Sequence, residues 1–60
     1  MREIKRIIPF VLKIAELWTK YVPDWRFGQL MYNFIAATGD PFYYEEDDFL
    51  ERFEKYLKNL

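Results

Sequence analysis

The sequence contains no cysteine, histidine or serine among its 60 residues. Without cysteine a disulfide is impossible, and without cysteine or histidine a structural zinc site of the usual kind is excluded. The same absences remove the serine and cysteine nucleophiles and the imidazole base on which the common hydrolase triads depend. We therefore expect a protein that is not an enzyme and that has no catalytic residues, no metal ligands and no cofactor.

Glycine is also scarce, and Gly28 and Gly39 stand apart, so the sequence has no glycine-rich loop of the kind that holds phosphate groups. No apolar run approaches the roughly 20 residues that cross a membrane. The charged start of the chain lacks the pattern of a signal peptide. We therefore expect a cytoplasmic protein without membrane contact.

A chain of 60 residues is expected to form a single domain over residues 1–60, at the lower limit of independent folding. A chain this short buries only about 60% of the surface that it exposes when unfolded. Phe, Trp and Tyr make up 22% of the residues. Because so many rings do not all fit into a small core, we expect an exposed apolar patch, which usually marks an interface.

The net charge of −1 conceals an uneven distribution. Residues 1–30 carry six basic and three acidic side chains (+3), and residues 31–60 carry three basic and seven acidic ones (−4). We favour pairing of the basic half with the acidic half of the same chain over head-to-tail pairing between the halves of two subunits.

The segment Glu3–Tyr21 has the apolar period of an amphipathic helix. Pro9 falls on its polar side and predicts either a bend or a helix start near Ile8. One apolar side is predicted to face the core, and it consists of Ile4, Ile7, Ile8, Val11, Ile14, Ala15 and Trp18.

A second apolar strip lies on the flank of this helix and exceeds what a three-helix core uses. We predict that this strip contacts a second copy in a homodimer. It consists of Phe10, Leu17 and Tyr21.

A second helix is predicted over Trp25–Thr38, with Asp24 as its N-terminal cap. Gly39 is expected to end it in a left-handed conformation. Gly28, inside the helix, is expected to mark the close approach of another helix or ring. The inward-facing residues are predicted to be Phe27, Leu30, Met31, Phe34 and Thr38.

Residues 42–44 are predicted to form an extended connector whose three aromatic rings close one end of the core. Asp48 and Glu51 have the spacing of a capping box and predict the start of a third helix. The inner face of that helix is predicted to consist of Phe49, Leu50, Phe53, Tyr56, Leu57 and Leu60. The fold class is therefore all-α: three helices with short turns and an aromatic connector before the last helix.

A clamp between the two halves of the chain is predicted from Arg26. A cation in the first turn of a helix opposes the helix dipole, so Arg26 is expected to have an acidic partner. The predicted partner is the acidic run of Glu45, Glu46, Asp47 and Asp48. We interpret this run as a helix start rather than a metal site, and mimicry of nucleic-acid phosphates stays open.

A partner-binding surface is predicted on the outer side of the second helix. Aromatic side chains beside arginine are enriched at interface hot spots, although a solvated polar stripe is the alternative explanation. The predicted residues are Trp25, Arg26, Gln29, Tyr32 and Asn33.

The function predicted from these features is that of a homodimeric adaptor or inhibitor that binds a larger protein. The alternative is a regulator that binds or mimics nucleic acid. Binding would use the basic residues of the first helix, although the domain lacks the strongly basic character of such binders. Those residues are Arg2, Lys5, Arg6, Lys13 and Lys20.

Two motifs lie between Pro23 and Leu50. The first reads Pro-Asp-Trp-Arg-Phe-Gly-Gln-Leu from Pro23, and the second reads Asp-Pro-Phe-Tyr from Asp40, followed by Glu-Asp-Asp-Phe-Leu from Glu46. This stretch resembles a group of very small uncharacterised bacterial and phage proteins. The chain differs from them by Tyr44-Glu45, where a single apolar residue usually stands. The resemblance implies a compact helical domain of phage or bacterial type and no particular activity.

Overall fold

Three α-helices joined by short turns make up the structure, a computed structural model that describes residues 3–60. A 3₁₀ turn over Ile4–Arg6 leads into α1 (Ile7–Tyr21), which is followed by α2 (Phe27–Thr38) and α3 (Glu46–Lys58). No strand occurs in the described part of the chain. The prediction of an all-α, three-helix fold is confirmed.

Proline determines where α1 begins. Pro9 is the third residue of α1, in the first turn, where backbone N–H groups have no partner within a helix and a missing N–H costs little. The residues before it form the 3₁₀ turn, in which the Arg6 N–H donates to the Glu3 carbonyl over 3.4 Å. Of the two outcomes predicted for Pro9, the structure shows the helix start, one residue before Ile8.

The buried core draws on all three helices and on Val22. Phe34 of α2 is fully buried, and its ring centroid lies 5.1 Å from that of Phe49, 5.2 Å from that of Phe53 and 5.8 Å from that of Tyr56. Tilted and edge-to-face contacts of this kind stabilise a core beyond the area that they bury. The buried side chains are Ile14, Leu17, Val22, Leu30, Phe34, Phe53 and Leu57.

α3 is the helix that joins the other two. It packs against both α1 and α2, whereas no Cα atom of α1 comes within 8 Å of a Cα atom of α2. α1 and α2 are linked at one corner by Trp18, whose indole N–H donates to the carbonyl of Trp25 over 2.9 Å. The ring of Trp18 also lies 5.7 Å from that of Phe27. Away from this corner an open groove separates α1 from α2.

The two apolar strips of α1 are exchanged relative to the prediction. Leu17 is only 2% exposed, and Phe10 and Tyr21 are half-buried against the core. This strip therefore lacks the exposed surface that the dimer prediction assumed. The strip predicted to face the core is instead exposed in large part, although Ile14 is buried and Trp18 is half-buried against the core. Either orientation satisfies the helical period, because both strips are apolar and adjoin one another.

The helix starts differ from the predicted caps. Asp24 does not cap α2, because Arg26 is the residue that precedes the first turn, and no side-chain cap bond forms there. α3 begins at Glu46, two residues before Asp48, so the predicted capping box with Glu51 is absent. The acidic side chains of residues 46–48 all lie in the first turn of α3, where negative charge is favoured by the helix dipole.

The connector between α2 and α3 is a tight turn rather than an extended segment. The Phe42 N–H donates to Asp40 Oδ1 over 3.0 Å, and the Tyr44 N–H donates to the Pro41 carbonyl over 3.0 Å. The rings of Phe42 and Tyr43 are 77% and 89% exposed, so the prediction that they close the core is wrong. Tyr44 is half-buried.

The two glycines have different roles. Gly39 follows α2 with φ +94° and ψ 179°. The positive φ is as predicted, but ψ differs from the left-handed helical value and places Gly39 in a region that is almost exclusive to glycine. Around Gly28, an added Cβ would meet no atom within 4 Å. The predicted close approach of another element at Gly28 is therefore wrong.

Replacing each glycine with alanine is expected to change stability in opposite directions. Gly28→Ala should raise the free energy of unfolding by about 0.5–1 kcal/mol, because the space is open and alanine favours the helix. Gly39→Ala should lower it by about 1–2 kcal/mol, because φ is positive there. Urea unfolding followed by circular dichroism measures both effects. Stabilisation by Gly39→Ala would contradict the assigned helix end.

Candidate protein-binding surfaces

The start of α3 is held by an arginine of the first helical segment. Arg6 Nε lies 2.7 Å from Glu46 Oε1, and the two side chains are 38% and 28% exposed. Arg6 also donates from Nη1 to the Glu3 carbonyl over 2.9 Å. The contact joins the start of α1 to the start of α3 and couples the basic and acidic halves within the chain.

The clamp predicted for Arg26 is not formed. Arg26 lies before the first turn of α2 in an extended conformation, so its charge does not oppose the helix dipole from within the helix. No ion pair joins it to Glu45, Glu46, Asp47 or Asp48 among residues 3–60. The reason is the packing of the helices: the start of α1, not that of α2, lies beside the start of α3, where Phe10 and Phe49 are in ring contact at 5.5 Å.

The residues predicted to bind a partner are only partly brought together. Gln29 is exposed and Tyr32 is 75% exposed on the side of α2 away from the core, whereas Asn33 is half-buried on its flank. Arg26 is exposed at the end of this row. Trp25 is half-buried and its carbonyl binds Trp18, which gives it a structural role. We call Arg26, Gln29, Tyr32 and Asn33 the α2 ridge.

The largest set of exposed aliphatic side chains lies on α1 and the turn before it. These residues are between 44% and 77% exposed. Those that belong to α1 span, together with Ala15, an arc of about 140° around the helix, and no charged residue of α1 lies within that arc. We call this surface the outer apolar face: Ile4, Ile7, Ile8, Val11 and Leu12.

The groove between α1 and α2 continues this face. It has a volume of about 160 Å³ and an entirely apolar lining. Phe27, predicted to point inward, is 54% exposed at its rim. The groove exists because only α3 spans the space between the other two helices. Its lining consists of Phe10, Val11, Ile14, Phe27, Met31 and Phe49.

The basic residues of the first helical segment are largely engaged within the chain. Arg6 pairs with Glu46. Lys13 Nζ lies 3.4 Å from Glu16 Oε1, and Lys20 Nζ lies 5.2 Å from the centroid of the Tyr21 ring. Arg2 lies outside the described residues.

The described residues give little support for a metal site, a membrane span or an enclosed cavity. Over residues 3–60, no group of three or more acidic side chains is arranged to hold a metal ion. None of the helices there has the length and apolar character to cross a membrane. A depression of about 330 Å³ between the ends of α2 and α3 is open to solvent.

Comparison with known proteins does not assign the chain to a family. No protein family, curated protein or solved structure matches the chain. The resemblance of residues 23–50 to small bacterial and phage proteins stays a prediction. The surfaces themselves are therefore the basis for a functional proposal.

Replacing Arg6 with methionine is expected to loosen the start of α3. Hydrogen exchange of the amides of residues 49–53 should become about two- to fivefold faster, because a partly exposed ion pair contributes at most about 1 kcal/mol. Arg26→Met is the matched control, because it removes the same charge from a position without an ion pair in the described structure, and it should leave these amides unchanged. Equal acceleration in both variants would contradict the role of the Arg6–Glu46 pair.

Proposed function

We propose that the protein is a small non-catalytic protein-binding module, a homodimeric adaptor or inhibitor that covers a surface of a larger protein. The observation that carries this proposal is the outer apolar face, a continuous row of large aliphatic side chains that are 44–77% exposed. Contiguous apolar surface of this extent usually marks a site of protein association.

Burial of this face by a partner is energetically favourable. Complete burial of a Val, Leu or Ile side chain contributes about 1.5–3 kcal/mol. The exposed fractions of the five residues are equivalent to about three fully exposed side chains, which leaves about 4.5–9 kcal/mol of burial unrealised. That is comparable to the whole stability of a small domain. A module that exposes such a face gains stability when a partner covers it.

The α2 ridge provides a second surface of different chemistry. Tyr32 stands out from the helix with Gln29 on the same side and Arg26 at the end of the row, and tyrosine and arginine are enriched among residues that dominate binding energy. The ridge lies on a different helix from the outer apolar face. One surface serves self-association and the other the larger partner, which is the arrangement that an adaptor requires.

Binding of nucleic acid has weaker support. A phosphate-binding surface needs several basic side chains that converge on one face. In this chain Arg6 and Lys13 already pair with carboxylates, and the acidic first turn of α3 lies beside the start of α1. Protein binding therefore accounts better for both the exposed apolar side chains and the charge distribution.

Removal of the Tyr32 side chain is expected to weaken binding of the larger partner. Capture from a lysate of the source organism, followed by quantitative mass spectrometry, should recover a protein with the unmodified chain. With Tyr32→Ala the recovery should be at least about fivefold lower, because truncation of a hot-spot residue costs more than about 1 kcal/mol.

Tyr43→Ala is the matched control, because Tyr43 is 89% exposed on the connector, away from the α2 ridge. This variant should recover the same protein as the unmodified chain. If Tyr43→Ala reduces recovery and Tyr32→Ala does not, the assignment of the ridge is wrong. If no protein is enriched by the unmodified chain, the proposal of a larger partner fails.

A further inference from the structure

We draw no further inference here: the strongest candidate, the outer apolar face of α1 together with the apolar groove that continues it towards α2, carries none, because nothing in residues 3–60 shows what covers it.

Discussion

The structure depends on the contact of the Phe34 ring with three rings of α3. Phe34 is fully buried against Phe49, Phe53 and Tyr56, and this cluster fixes α2 on one side of α3. α1 is held to α3 by the ring contact of Phe10 with Phe49 and by the ion pair at the start of both helices. No Cα atom of α1 lies within 8 Å of a Cα atom of α2, and these two helices are joined at the corner formed by Trp18.

The exposed apolar surface follows from this arrangement. The apolar residues of α1 extend over more than half of its circumference, and one neighbouring helix covers only part of that arc. This sequence has no cysteine and so no disulfide to stabilise the fold. Association that buries the apolar surface left exposed by the fold stabilises the folded chain instead. The same three-helix packing thus explains both the marginal core and the exposed face on which the proposed function rests.

Several features could be predicted from the sequence because they depend on local chemistry. Gly39 ends α2, Pro9 lies near the start of α1, and the excess of apolar surface on α1 was evident from its helical period. The choice between the two strips of α1 could not be predicted, because Leu17 and Val11 fit a core equally well until the position of α3 is known. The partner of the acidic run, Arg6 rather than Arg26, depends on the same packing.

The orientation of α1 is the central claim, and methyl resonances in the presence of a soluble paramagnetic reagent test it most directly. At concentrations where the protein is monomeric, the Leu17 methyl groups should be protected and the Val11 methyl groups should be strongly broadened, because these side chains are 2% and 53% exposed. Protection of Val11 together with broadening of Leu17 would show that α1 packs through its other face and would contradict the structure.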